Sequence, residues 1–508
     1  MERQTSFLDL PDELLLHVVS LSSDGHKGKQ FTSRIIKLSF VCRKLRDLIL
    51  SYPSLWRIIS SSMVQQELIL AHVDRSRDQP LHIDVSDANG HLSNAPIALL
   101  SSVEGETTRW LSFTLLLHEG RWWNLESTDS IIDKYLQHQN VEKLETLRVG
   151  FNHLGDDHAM HFFNRWRMPN LRNLELVNLV PAVVQTLPQL RKLSITFQED
   201  ALGVALQIAD LQAFLASVTA LEEFSLSFID NESILNGIEV NHVASIPQID
   251  TLNVVIKDSH PDTYSIILSA FKFPNLRNLS LFIQCDYYTK LCDDELVPQM
   301  AVRAFSACRS LMSPYTISLS IFGYDLPPEP MLLPPIENFK NMKNFTLETN
   351  INLHSPLPEV SVLGTTTCPP IDTICLRNCI ALGPEWLRNF KNRFESKKKW
   401  SSLRSLTVEG CPLLPPASLT YIIPSAKLKY SRNASAVSPM IEGVRLNTVN
   451  ARRGDKRFQF DFFSEGIFHT NHRGEAFLAG MVWFDTESDF SDDDDYIDYN
   501  SDLFYESK

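Results

Sequence analysis

The chain has 508 residues, 44% of them hydrophobic and 21% charged, with a formal net charge of -14. It is too long for one core, so several domains or an extended repeat array are expected. The acidic balance argues against non-specific nucleic-acid or anionic-membrane binding, which depends on Lys and Arg, and eight cysteines are too sparse for a disulfide framework.

The first predicted element is helical. Pro11 suits a first helical turn, and Asp12 and Glu13 complement the positive helix end. Leu14, Val18 and Leu21, with Leu15 and Val19 beside them, form an apolar stripe at helical spacing. The polar stretch SSDGHKGKQFTSR at 22–34 is predicted to loop out. Leu38, Val41, Cys42, Leu45, Leu48 and Ile49 form a second stripe, and Pro53 stops that helix before SLWRII. Two short helices cannot hide this much apolar surface from each other, so a partner is expected to cover the rest.

The pattern of Leu10, Pro11, Glu13, Leu14, Leu15, Val41, Cys42, Leu55 and Trp56 resembles an F-box. The resemblance covers about a tenth of the chain. It implies a module at 7–59 that docks on the adaptor subunit of SCF cullin–RING ubiquitin ligases, with Leu10, Pro11, Leu14, Leu15, Val18, Leu38, Val41, Cys42, Leu45, Leu55 and Trp56 at the contact. The longer 22–34 link departs from the family pattern. A plain helical cap is the alternative reading of the same segment.

From Leu144 an apolar pattern, L-x-x-L-x-L, recurs: LETLRV at 144, LRNLEL at 171, LRKLSI at 190, LEEFSL at 221, IDTLNV at 249, LRNLSL at 276, MKNFTL at 342, IDTICL at 371 and LRSLTV at 403, with a degenerate copy near 315–321. Steps between neighbours run from 19 to 32 residues, excluding the interval that spans the degenerate copy. The alternation predicts strands, with 174–176, 252–254, 279–281 and 406–408 side by side in one sheet. Leu211, Phe214, Leu215 and Val218, and likewise Tyr264, Ile267, Leu268 and Phe271, predict helices ahead of two strands. PLHIDV at 80–85 and RWLSFTLLL at 109–117 join the array. The repeat resembles degenerate leucine-rich repeats, and F-box followed by such repeats is a family architecture abundant in fungi. The implied fold is α/β: a small helical F-box, then an irregular leucine-rich-repeat solenoid at 60–425 with a curved parallel sheet.

The fifth repeat position holds Arg148, Glu175, Ser194, Ser225, Asn253, Ser280, Thr346, Cys375 and Thr407, mostly small and neutral. Of these, Glu175, Ser194, Ser225, Asn253 and Ser280, with Tyr287 and Tyr288 from an irregular insertion, are the candidate target contacts. Clustered Arg, as in a reader of phosphorylated motifs, is not evident there. Cys379 and Cys411 fall at the ninth repeat position, where such repeats place Asn or Cys to bond the turning backbone. His153, Asp156, Asp157, His158 and His161 are read as a polar link rather than a metal site. No phosphate-binding loop, dinucleotide fingerprint, nucleophile elbow or zincin motif occurs, so no metal, cofactor or catalytic residue is assigned.

Residues 426–484 are predicted to cap or extend the array, with strands at 457–463 and 476–484, and the acidic 485–508 to be a disordered tail. The start, MERQTSFLDLPDE, lacks a signal-peptide layout and no apolar run reaches a membrane span, which predicts cytoplasm or nucleus. The function implied is a non-enzymatic substrate-recognition subunit of an SCF-type ligase, holding an unknown protein target and reaching cullin through the adaptor. A non-ligase leucine-rich scaffold and a hydrolase with an unrecognised site are the alternatives.

Overall fold

The computed structural model describes residues 10–23, 28–63, 65–86, 95–117, 135, 139–151, 165–181, 187–198, 208–231, 242–286, 302–304, 306–307, 314–324, 331–332, 339–351, 353–354, 370–395, 400–431, 468–470 and 476–478. The chain divides into two compact units, 1–436 and 437–508. In the second, Phe468–Thr470 pairs antiparallel with Ala476–Leu478. The latter lies in the stretch expected to be a strand; 457–463 and 485–508 lie outside the described residues.

The first unit opens with three helices: α1 Asp12–Ser23, α2 Gly28–Ser39 and α3 Arg43–Ser51. The expectation of two helices and a looped-out link at 22–34 is corrected here. Most of that link is the start of α2, because Phe31, Ile35 and Leu38 recur at helical spacing and pack on a common core with Val19, Leu45 and Ile49. Leu38 therefore belongs to α2, and Cys42 caps α3, its Sγ accepting the Leu45 N–H at 3.4 Å.

Beyond the helices lies one sheet of fourteen strands, all parallel and in chain order. The strands are β1 Ile58–Ser60, β2 Leu81–Ser86, β3 Trp110–Leu117, β4 Thr146–Phe151, β5 Asn173–Val177, β6 Lys192–Gln198 and β7 Glu223–Ile229. They continue with β8 Thr251–Lys257, β9 Asn278–Asp286, β10 Thr316–Tyr324, β11 Asn344–Thr349, β12 Thr373–Arg377, β13 Ser405–Glu409 and β14 Leu428–Ser431. The four stretches expected side by side, in β5, β8, β9 and β13, share this sheet. Its last strand lies beyond 425, within the segment expected to form a C-terminal extension.

Alternation does the work of register. Leu147, Leu174, Leu193, Phe224, Leu252, Leu279, Ile317, Phe345, Ile374 and Leu406 are Cα partners across successive strands, and all are buried. A one-residue slip of any strand would turn such a residue to the opposite face. Against the core face pack α4 Gln66–Arg75, α5 Ala95–Val103, α6 Ile208–Ser217, α7 Pro261–Ser269 and α8 Pro384–Glu395, whose buried Ile69, Leu99, Leu215, Leu268 and Leu387 belong to the same apolar cluster.

The strands end in a recurring turn. Asn178, Asp230, Asp258, Asn378 and Gly410 each follow a strand with φ between 43° and 61°, the left-handed region that Asn, Asp and Gly tolerate best. After four of them comes a buried polar side chain: Asn231, Ser259, Cys379 or Cys411. Each donates to the carbonyl two residues back, Ile229, Lys257, Arg377 and Glu409 respectively. The Asn231 N–H then donates to Ser259 Oγ, and the Cys379 N–H to Cys411 Sγ. The turning backbone is thus satisfied from within, as buried polar groups require.

Candidate functional site

In the helical module α1 carries two neighbouring apolar stripes, one buried and one exposed. Leu15 and Val19 are buried, while Leu14 is 50% exposed, Val18 41% and Leu21 55%. At the α2–α3 turn Phe40 is 70% exposed and Val41 67%, and the Arg46 guanidinium lies 5.5 Å from the Phe40 ring centroid. Lys44 reaches back across the module, its Nζ 3.2 Å from the Leu10 carbonyl oxygen and 3.3 Å from an Asp12 carboxylate oxygen. Pro11 is exposed, Leu10, Leu38 and Cys42 are half-buried, and Leu45, Leu55 and Trp56 lie in the core. Of the sequence-derived contact set, Leu15, Leu45, Leu55 and Trp56 therefore hold the module together, and Pro11, Leu14, Val18 and Val41 present its surface. Leu21 and Phe40 extend that surface. Leu21 was legible as the next turn of the α1 stripe; Phe40 sits in a turn, where periodicity carries no signal.

The module joins the sheet through Trp56. Its Nε1–H donates to the Ile49 carbonyl at 2.9 Å. His72 of α4 packs edge-on against its ring at 4.8 Å, and the Arg75 guanidinium covers it at 4.6 Å. His72 Nδ1 faces the Trp56 carbonyl at 3.3 Å, while Nε2 is buried with no hydrogen-bond partner among the described residues. Burial, with a smaller contribution from the Arg75 charge, lowers the His72 pKa to about 4, so the ring is neutral near pH 7.

The second face of the sheet carries the fifth repeat position as one unbroken row: Arg148, Glu175, Ser194, Ser225, Asn253, Ser280, Ser318, Thr346, Cys375 and Thr407 are successive Cα partners. Glu175 is exposed and meets Arg148 at 3.3 Å; Ser194, Ser225, Asn253 and Ser280 are half-buried. The Asn253 amide donates to Ser225 Oγ at 3.1 Å and to Glu223 at 3.2 Å, so part of the row's polarity is spent internally. Two positions on, Glu348, Arg377 and Glu409 stand on adjacent strands, with Arg377 Nε 3.2 Å from Glu409. Burial raises the Glu348 pKa, opposed by an Asn378 hydrogen bond and the Arg377 charge. Tyr287 and Tyr288 lie outside the described residues, as do His153 to His161.

The chemistry available on this face is limited. His82 Nδ1 lies 2.8 Å from Ser112 Oγ, a pair resembling a base and nucleophile. Its pKa is lowered by burial and by Arg57, and among the described residues no carboxylate orients its other nitrogen. Burial raises the Cys375 and Cys379 pKa values, which disfavours the reactive thiolate. Among the described residues no three His, Cys, Asp or Glu side chains gather as metal ligands, and no helix is long and apolar enough to cross a membrane.

Residues 7–62 match the family model described as F-box-like. Among curated proteins no sequence matches the chain. The chain thus carries a small helical F-box-like domain followed by a region rich in parallel strands.

Proposed function

We propose that this chain is the substrate-recognition subunit of an SCF-type cullin–RING ubiquitin ligase. The F-box-like domain docks an adaptor subunit, the adaptor carries cullin, and a target protein is held by the strand-rich region. The chain positions the target and its partners supply the transfer chemistry. The observation that carries the reading is the exposed apolar surface of Pro11, Leu14, Val18, Leu21, Phe40 and Val41 on a module whose own core is already complete. Large apolar side chains exposed in this number on so small a folded module mark a protein partner.

The strand-rich region is read as a leucine-rich-repeat solenoid of the irregular kind. What supports this is the chain-order parallel sheet, the aligned rows and the repeated left-handed turn with its buried polar side chain. The fifth-position row, including Glu175, Ser194, Ser225, Asn253 and Ser280, is the proposed target-facing surface, and the cytoplasm or nucleus the proposed location. The test is co-purification of adaptor and cullin with the full chain. Leu10→Ala with Pro11→Ala is expected to weaken recovery of both while the urea unfolding curve is unchanged. Absence of adaptor from the unsubstituted chain refutes the reading.

A further inference from the structure

A rim of residues stands immediately ahead of the strands, and six of its charges form three ion pairs. Arg172 before β5 meets Glu145 before β4 at 4.0 Å, Arg191 before β6 meets Glu222 before β7 at 3.2 Å, and Arg404 before β13 meets Asp372 before β12 at 3.7 Å. Arg57 before β1 and Lys427 before β14 stand outside these pairs, and so do three adjacent positions. Arg277, Tyr315 and Lys343 precede β9, β10 and β11, and their backbones are linked in that order: the Tyr315 N–H donates to the Arg277 carbonyl at 2.9 Å, and the Lys343 N–H to that of Tyr315 at 2.8 Å. Arg277 and Lys343 are exposed, Tyr315 is 46% exposed, and Lys343 Nζ lies 5.7 Å from the tyrosine ring centroid. Among the described residues neither cation has an ion pair. The nearest acids along the rim are otherwise engaged: Asp372 with Arg404, and Asp250 with the Thr251 hydroxyl at 2.8 Å.

We infer that Arg277, Tyr315 and Lys343 form a docking point for an acidic, extended segment of a partner protein. Strands in a sheet are ~4.8 Å apart, so Arg277 and Lys343 stand about 10 Å from each other. A polyproline II segment advances ~3.1 Å per residue and returns a side chain to the same side every third residue. A segment of this kind laid across the strands therefore places two carboxylates three residues apart on one side, over the two cations. Two separated cations on a chain of net charge -14 do not suit a nucleic-acid backbone, which needs a continuous basic track and is repelled at long range.

The test uses the full chain and a fluorescein-labelled eight-residue peptide bearing two glutamates three residues apart, read by fluorescence anisotropy at low salt. The assay contains no adaptor, so its failure leaves the ligase reading untouched. Arg277→Gln with Lys343→Gln is expected to weaken binding about tenfold, since exposed ion pairs are individually modest. Asp250→Asn, which removes a neighbouring rim charge that repels the acidic peptide, is expected to strengthen it about twofold. Arg172→Gln, at a rim position already paired, leaves it unchanged. The inference is overturned if the unsubstituted chain does not bind the peptide or if the double variant binds as well as the unsubstituted chain. It is equally overturned if a peptide with adjacent glutamates binds equally, or if an oligouridylate of matched charge binds more tightly.

Discussion

Replacing Leu14 and Val41 together by Ala separates docking from folding. Both side chains are apolar, and they are 50% and 67% exposed. Fully burying a Leu or Val side chain contributes about 1.5–3 kcal/mol. Covering these exposed fractions, less what Ala retains, comes to about 2 kcal/mol for the pair, or roughly thirtyfold in the dissociation constant. Because neither side chain belongs to the module's core, unfolding stability should change by no more than about 0.5 kcal/mol. Leu15→Ala is the contrast: Leu15 is fully buried, and its truncation costs about 2–5 kcal/mol of stability. The assay is calorimetric titration of purified adaptor into each variant, with a urea curve for each. A Leu14→Ala, Val41→Ala variant that stays folded and binds within twofold of the unsubstituted chain refutes the assignment of this face.

Two further outcomes follow from buried polar groups. His72 titrates at about 4 when folded against 6.5 when free; between those values the unfolded chain binds a proton that the folded chain does not. Its contribution is therefore fully present above pH 6.5 and falls by about 3 kcal/mol as pH drops to 4, and urea curves of His72→Gln should lose that part of the acid slope. Asn231→Ala leaves the Phe197 and Ile229 carbonyls without the amide that now bonds them at 2.9 and 3.1 Å. It should cost about 2 kcal/mol in urea unfolding, with peptide binding at the Arg277 rim unchanged.

Strand positions were legible because each strand hides one face. Leu174 and Leu176, or Leu252 and Val254, announce their register by alternation alone. The helices at Ile208–Ser217 and Pro261–Ser269 were legible for the same reason at a different period. What stayed hidden breaks simple alternation. In β8 and β9, Val255 and Phe282 are buried on the second face, so LNVVI and LSLFI run apolar on both sides and mask where the polar face ends. The start of α2 was missed because GKQFTSRI carries only one apolar residue per turn, which composition reads as a loop. The exposed surface of α1 was visible as excess hydrophobicity, but its division between core and surface was not. Leu14 and Leu15 are chemically identical, and only the direction of the helix toward α2 and α3 distinguishes them.

The joint between module and sheet bears on how a receptor of this kind would work. No spacer separates them: the short helix containing Trp56 ends one residue before β1 begins at Ile58. The same indole is fastened from both sides, by the Ile49 carbonyl in the module and by His72 and Arg75 of α4 on the sheet. A bend here would pull a large aromatic ring from its pocket, break its hydrogen bond to the Ile49 carbonyl and separate it from the Arg75 guanidinium. These losses cost free energy, so within residues 1–436 the exposed face of α1 is held fixed to the first strands. A target resting on the fifth-position row would then be presented to the ligase at one reach and one angle. Any adjustment toward different lysines would have to come from the target itself or from the enzyme bound at the far end of the complex.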